Sequence, residues 1–325
     1  MKRTHKIMAL LAAGALALLT GGCAPQTVNP LVKNEATDVP GLTMNLHPAM
    51  ASDANADTVS ATLYFRYMDE PMLASESRNL TVRRDESVEY AIVEALTEGP
   101  SAGHSELKRL LPAAATVESV VARDDILFVT FNEGFLMDDV PETWADSEYW
   151  LAEAPLLRKL IVQSIVASVT ESFPYTGVQI LVHRQNEVQT SLRLDNAYFL
   201  TGEAGLSDPV ARNENLLLSP RNTAEILLTA WQQHDFERLY RYLAEADKPS
   251  YATATETLSK APSLTDYTVS AGTVSDNGQT AALTVDLQTL NQNVSADTQN
   301  YPLLFIRENG IWKMTYARLT AMMAR

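Results

Sequence analysis

The sequence predicts an α+β protein of two domains, and three observations lead to this fold class. Between residues 58 and 200, segments with alternating apolar residues are interleaved with segments of helical spacing, which indicates a mixed sheet packed with helices. From 216 to 325 the helical segments come first and alternating segments follow, which indicates an antiparallel sheet wrapped on helices. The polar stretch 201–215 contains Gly202 and Gly205 and predicts a linker that packs little.

In the first domain the periodicity changes several times between that of a strand and that of a helix. Val88, Ile92 and Leu96 share one face of a predicted helix. Gly99-Pro100 ends this helix, because Gly accepts the left-handed position after a helix and Pro cannot continue one. The predicted strands are 59–67, 72–82, 116–123, 126–131 and 178–182, and the predicted helices are 86–98 and 155–173.

Several short motifs of the first domain resemble a known family. The Leu-x-x-Gly-Pro pattern at 96–100 occurs together with Leu63-Tyr64-Phe65, Glu76-Ser77-Arg78 and Val129-Thr130-Phe131. In this combination residues 58–200 resemble the GerM domain of sporulation and spore-germination proteins. The resemblance implies a role in sporulation, germination or cell-envelope assembly. It also implies an interaction module, because GerM domains are similar to ring-building motifs that pack against neighbouring copies or partners.

The second domain is predicted to begin at Ser219-Pro220, an N-cap followed by Pro at the first helical position. Asn277-Gly278 and Asn309-Gly310 lie between alternating segments and predict hairpin turns. The predicted helices are 220–231, 236–243 and 250–260, and the predicted strands are 267–274, 281–290, 301–308 and 311–319. This order resembles the nuclear transport factor two-like superfamily, whose antiparallel sheet is cone-shaped and leaves a cavity.

The resemblance to a cone-shaped fold makes the aromatic residues of the second domain candidates for a pocket. These residues are Trp231, Tyr240, Tyr267, Phe305 and Trp312. Members of that superfamily include isomerases, dehydratases and ligand-binding modules, so a small molecule or cell-wall fragment is the implied ligand. The alternative is that these large apolar side chains form the hydrophobic core.

The N-terminus has the pattern of a lipoprotein leader. Basic residues precede the apolar segment 7–19, and small residues follow up to Cys23, the single cysteine of the chain. We therefore predict a signal peptide at 1–22, a lipidated Cys23 that anchors the protein to the membrane on its extracytoplasmic face, and a tether at 23–57. The Pro-rich composition of residues 24–57 is typical of a flexible segment. An ordinary signal peptide with a chance cysteine is the alternative.

The composition limits the possible chemistry. A formal net charge of −15 disfavours nucleic acid as a partner. The sequence lacks the Gly-x-Ser-x-Gly and His-Glu-x-x-His motifs, so we predict no catalytic residue, no metal and no cofactor. The acidic stretch 133–153 could collect a hard cation, but its spacing fixes no cage, and a solvated loop is the simpler interpretation.

The segment 138–153 within this stretch is the candidate partner site of the first domain. It combines Trp144, Tyr149 and Trp150 with Asp138 and Asp139, and aromatic residues are favoured anchors at interfaces. The alternative is that the tryptophans fold back onto their own domain. The sequence therefore predicts a non-catalytic envelope lipoprotein that binds a protein partner or self-assembles. A role in ligand binding or catalysis through the second domain remains the alternative.

Overall fold

The computed structural model describes residues 56–139, 147–184 and 191–325. The predicted signal peptide, Cys23, most of the predicted tether and Trp144 lie outside the described residues. The α+β fold class is confirmed, with three separate sheets and helices packed on them in the described part of the chain. No helix within the described ranges is long and apolar enough to cross a bilayer.

The first sheet contains the opening strands of the chain. Strand β1 (Ala56–Tyr67) pairs antiparallel with β2 (Leu73–Arg83) on one side and with β3 (Leu107–Lys108) on the other. Since β1 begins at Ala56, the last two residues of the predicted tether are part of the sheet. Helix α1 (Val88–Glu98) begins at Ser87, whose side chain accepts a hydrogen bond from the Tyr90 amide, and ends at Gly99 with a positive φ of 89°.

The second sheet has the strand order β4-β5-β6-β7. Its members are β4 (Val117–Arg123), β5 (Ile126–Asn132), β6 (Gly177–His183) and β7 (Leu192–Arg193). The neighbours β5 and β6 are parallel, and a parallel pair needs a crossover connection. The long helix α2 (Glu148–Ser172) lies in that connection and packs against β1, β6 and α1.

Helix α2 begins seven residues earlier than the sequence predicted. The helical spacing was recognised only from Pro155 onward, because Pro normally lies near the start of a helix. In the structure the Ser147 side chain caps the helix by accepting a hydrogen bond from the Trp150 amide, at 3.2 Å, and Pro155 lies inside it. Tyr149, Trp150 and Glu153 of the predicted loop are therefore helical residues.

The second half of the chain has helices first and then a curled antiparallel sheet of order β12-β11-β10-β8, with β9 paired to β10. Its helices are α3 (Pro220–Gln232), α4 (Phe236–Arg241), α5 (Tyr251–Leu258) and α6 (Tyr316–Met323). Its strands are β8 (Ser263–Val269), β9 (Thr273–Val274), β10 (Thr280–Asn291), β11 (Val294–Glu308) and β12 (Ile311–Lys313).

The predicted last strand, 311–319, is wrong beyond Lys313, where helix α6 follows. The cause is a cap from a distant part of the chain: the Asp247 carboxylate accepts hydrogen bonds from the Tyr316 and Ala317 amides, at 2.8 and 2.9 Å. Carboxylates satisfy the free N–H groups of a first helical turn. The predicted strand 267–274 is divided into β8 and β9.

The segment that was predicted as a linker is packed against the first half. Val210 exchanges two backbone hydrogen bonds with Val178 of β6, at 2.8 and 2.9 Å. The buried Gln163 side chain of α2 donates to the Ala211 carbonyl and accepts from the Asn213 amide, both at 3.0 Å. The expectation that this segment packs little is therefore wrong for residues 207–215. Their backbone groups form hydrogen bonds with β6 and α2 of the first half.

The two halves share a polar and apolar interface, which we call the seam. The Glu70 carboxylate, in the turn between β1 and β2, is only 4% exposed and accepts a hydrogen bond from Arg238 Nε of α4 at 2.8 Å. Beside it the Asp69 carboxylate binds Arg241 at 2.6 Å, and the rings of Tyr67 and Tyr242 lie 5.4 Å apart. The hydrophobic core is continuous across the seam.

The final hairpin also takes part in the seam. Asn309 and Gly310 have positive φ values of 51° and 84°, as the predicted type I′ turn requires, and Glu308 pairs with Ile311 across it. A Cβ atom at residue 310 would overlap the carbonyl oxygen of Ser75 in β2. Glycine is needed here for two reasons. The backbone has a positive φ, and the two halves approach too closely to leave room for a Cβ atom.

Replacement of Gly310 by Ala tests the seam. Gly278→Ala is the matched control, because Gly278 also has a positive φ but has nothing within 4 Å of its Cβ position. We expect the control to lower the free energy of unfolding by about 1 kcal/mol from backbone strain. Gly310→Ala should cost about 1–3 kcal/mol more, from the overlap with Ser75. Urea unfolding measures both, and equal losses would contradict the contact.

Candidate functional site

The described residues of the predicted partner site surround the start of α2. Asp138 and Asp139 follow the short 3₁₀-helix Glu133–Leu136, and Tyr149 and Trp150 lie in the first turn of α2. The Tyr149 side chain is 68% exposed, whereas Trp150 is half-buried. Trp144, the other aromatic residue of the prediction, lies outside the described residues.

The two aspartates bind groups of their own domain. The Asp138 carboxylate accepts a hydrogen bond from Arg158 Nη2 of α2 at 2.6 Å, and the Asp139 carboxylate accepts one from the Ala113 amide at 2.7 Å. These contacts hold residues 137–139 against α2 and the segment before β4. The carboxylates therefore fix the position of residues 137–139, a role that the sequence analysis did not predict.

Apolar side chains around Trp150 are exposed. Met137 is 58% exposed and Leu151 is 57% exposed, in addition to Tyr149. Met137 and Trp150 border a recess of about 180 Å³, together with Pro112. We call Met137, Tyr149, Trp150 and Leu151 the α2-start surface. Its partly exposed aromatic and apolar groups match the composition of protein interfaces.

A second cavity, larger than the recess beside Trp150, also has Arg158 in its wall. Its volume is about 370 Å³, and it is bordered by the end of β6, by β7 and by the 3₁₀-helix Asn196–Phe199. Apolar side chains, among them Val182 and Leu194, form most of its wall. Three arginines also border it, namely Arg158, Arg184 and Arg193. We call it the arginine cavity; no sequence motif marked it.

The ring of Tyr198 forms part of the same wall. It stacks on Phe135 with ring centroids 5.5 Å apart, and the guanidinium of Arg158 lies 5.1 Å from its centroid. Arg158 also donates a hydrogen bond to the Tyr198 carbonyl oxygen at 2.8 Å. Arg158 borders both the arginine cavity and the recess beside Trp150 and therefore forms the wall between them.

The aromatic residues predicted for a pocket in the second half belong to its core. Trp231, Phe305 and Trp312 are buried, and Trp231 donates a hydrogen bond to the Pro262 carbonyl at 2.9 Å. The hydroxyl of Tyr240 donates to the Pro249 carbonyl at 2.9 Å, and that of Tyr267 pairs with Thr229 at 2.8 Å. Trp231, Phe305 and Trp312 are therefore part of the core, where the curled sheet packs on α3, and Tyr240 and Tyr267 are only partly buried.

Metal binding has little support in the described residues. No group of three His, Cys, Asp or Glu side chains in the described ranges is arranged to hold a metal ion. The predicted acidic stretch extends into residues 140–146, which lie outside those ranges. Of its described members, Asp138 and Asp139 are already engaged by Arg158 and Ala113.

Comparison with known proteins gives one family match. Residues 62–186 match the family described as Germane: Sporulation and spore germination. The match lies within the predicted domain 58–200 and contains α1, α2 and strands β2 to β6. Among curated proteins, none matches the chain. The likeness of residues 216–325 to the nuclear transport factor two-like superfamily stays a prediction.

Several solved structures are similar to the chain. The tandem GerMN domains of the sporulation protein GerM from Bacillus subtilis align at 16% identity and a TM-score of 0.31 over 55% of this chain. The chain spans only half the length of that structure, since the alignment covers 50% of it. The first GerMN domain of the same protein gives 19% identity, a TM-score of 0.30 and coverage of 48% of this chain and 98% of that one.

The third structure is a putative lipoprotein from Clostridium perfringens, with 22% identity, a TM-score of 0.27 and coverage of 48% of this chain and 89% of that one. None of these TM-scores is high enough to support an argument about function. The family match rests on sequence and concerns residues 62–186 alone. These residues therefore form a GerM-type domain.

Proposed function

We propose that this protein is a non-catalytic interaction module that acts in sporulation or spore germination, anchored through Cys23 to the extracytoplasmic face of the cell membrane. The observation that carries the proposal is the match of residues 62–186 to the sporulation and germination family. The anchor rests on the leader pattern that ends at Cys23. A net charge of −15 disfavours binding of the protein surface to anionic lipids, so a diacyl group would supply the membrane contact.

The α2-start surface is the part of the GerM-type domain that we assign to a protein partner. Tyr149, Met137 and Leu151 are mostly exposed. A partner that buries these side chains would gain free energy from the apolar surface removed from water. The Ser147 cap and the pair of Asp138 with Arg158 hold this surface in one conformation. A preorganised surface loses little entropy on binding, which favours association.

The alternative function depended on a pocket in the second half. It required Trp231, Tyr240, Tyr267, Phe305 and Trp312 to border a cavity for a small molecule or a cell-wall fragment. Trp231, Phe305 and Trp312 are buried in the core, so the five residues do not border one cavity together. Tyr267 borders a recess of about 210 Å³ on the strands β8, β10 and β11.

A genetic test addresses the proposed role. Deletion of the gene in the organism that encodes it should lower the yield of heat-resistant spores or slow their germination, and the wild-type gene should restore both. Tyr149→Ala with Leu151→Ala should fail to restore them, because these exposed groups would contact the partner. The same protein should keep its thermal stability, since exposed positions contribute within about 0.5 kcal/mol.

The matched control is Val294→Ala, which removes an exposed apolar side chain from the second half. It should restore spore yield and germination fully. Unchanged sporulation and germination in the deletion strain would overturn the proposed role. Failure of the control variant would show that the phenotype does not depend on the α2-start surface.

Replacement of Cys23 by Ser tests the anchor. A lipidated wild-type protein should incorporate labelled palmitate and sediment with membranes. The variant should incorporate none and appear in the soluble extracytoplasmic fraction, because a thiol is needed for the acyl linkage and stable anchoring needs two acyl chains. A wild-type protein that is unlabelled and free of membranes would contradict a lipoprotein.

A further inference from the structure

The arginine cavity has the size and lining of a small-molecule site. At about 370 Å³ it falls within the range of about 300–1,000 Å³ that is typical of ligand pockets. Leu136, Val182 and Leu194 give it an apolar wall, and polar groups are few. Such sites combine a mostly apolar surface with a small number of polar groups that fix the orientation of the ligand.

Two buried polar atoms at this cavity have no partner within the described part of the chain. One is the hydroxyl of Tyr198, a residue that is only 8% exposed, and the other is Nε of Arg193. Both residues border the cavity. Buried donors that lack a partner cost free energy and are rare in native proteins, so each needs an explanation. Neither atom is reached by solvent in the structure, so the acceptor oxygens of a ligand would pair with them after a local shift of the cavity wall.

The charge of the lining indicates the sign of that ligand. Arg158, Arg184 and Arg193 border the cavity, against one carboxylate, that of Asp195. Asp195 already accepts a hydrogen bond from the Ala197 amide at 2.8 Å. Arg158 is neutralised by Asp138, but the partner of Arg193 is Asp208, whose side chain is almost fully exposed. Exposed ion pairs are weak, so the charge of Arg193 is poorly compensated.

Tyr198 adds a neutral donor to these groups. Burial raises the pKa of its hydroxyl, so the group stays protonated at physiological pH and can donate a hydrogen bond. Guanidinium groups prefer carboxylate and phosphate oxygens, which they bind through short, charge-assisted hydrogen bonds. An apolar wall with these donors favours a ligand that has an apolar body and one anionic head.

We propose that the arginine cavity of the GerM-type domain binds a small amphiphilic anion, with its carboxylate or phosphate head at Arg193 and Tyr198 and its apolar body against Val182 and Leu194. This site is separate from the α2-start surface that we assign to a protein partner. It does not depend on the proposed role in sporulation, and binding to the purified protein tests it directly.

Displacement of the fluorescent probe 8-anilinonaphthalene-1-sulfonate from the full-length protein gives the measurement. The competitors are octanoate, octyl phosphate, octanol and octylamine, which share one tail and differ in the head. We expect octanoate or octyl phosphate to displace the probe at least tenfold better than octanol, and octylamine to be the weakest. The better of the two anions identifies the head as carboxylate or phosphate. Equal displacement by all four compounds would overturn the proposal.

Two variants locate the binding. Arg193→Gln should lower the affinity for the better anion about tenfold and leave the affinity for octanol unchanged, because it removes only the charged donor. Tyr198→Phe should lower the affinity for the anion. Its thermal stability should be equal to or higher than that of the wild type, since the variant loses an unpartnered buried hydroxyl. If Tyr198 had only a structural role, Tyr198→Phe would instead lower the thermal stability and leave the affinity for the anion unchanged.

The matched control is Arg221→Gln, which removes an exposed arginine of α3 that pairs with Glu225 away from the cavity. It should bind the anion as the wild type does. Loss of binding in this control, or unchanged binding in Arg193→Gln, would show that the anion binds elsewhere and would overturn the assignment.

Discussion

The buried carboxylate of Glu70 is the group on which the arrangement of the two halves depends. It lies in the turn between β1 and β2, and the backbone of the same residue accepts a hydrogen bond from Arg66 at 2.9 Å. A buried charge is costly unless it is paired, and its partner, Arg238, comes from α4 of the second half. Any rotation of the second half would leave this charge unpaired. The position of the GerM-type domain relative to the sheet that follows is therefore fixed by electrostatics as well as by the shared apolar core.

This constraint decides which surfaces remain available for function. The β1–β2 turn, residues 207–215 and the Asn309-Gly310 turn are all used in packing between elements that are far apart in sequence. The start of α2 lies outside these contacts, whereas the arginine cavity adjoins them, because Arg193 pairs with Asp208. Arg158 borders both of them and is held by Asp138, so the acidic residues that first marked the site also shape the wall of the cavity. The partner site stays a prediction, and the structure gives its two aspartates an internal role.

Other features of the site were not accessible from the sequence. Arg193 and Tyr198 come from a short strand and a 3₁₀-helix that carry no recognised motif, and β6 and α2 bring them beside Val182 and Arg158. Val182 and Arg193 meet there because β6 and β7 pair antiparallel, and Arg158 comes from α2, the crossover between β5 and β6. The aromatic residues of the second half were recognised as a group, yet composition could not distinguish a core from a pocket. Their burial depends on how closely the curled sheet approaches α3.

The sequence by itself determined those features that depend on neighbouring residues. Alternation located the long strands, Ser219-Pro220 located the start of α3, and Gly99 and Asn309-Gly310 located a helix end and a hairpin turn. Tertiary structure decided the features that depend on distant partners. Asp247 caps α6 across 69 residues, Val178 pairs with the predicted linker, and Arg238 pairs with Glu70. The reason is physical: local patterns record backbone preference and periodicity, whereas the identity of a long-range partner is set only when packing brings the two groups together.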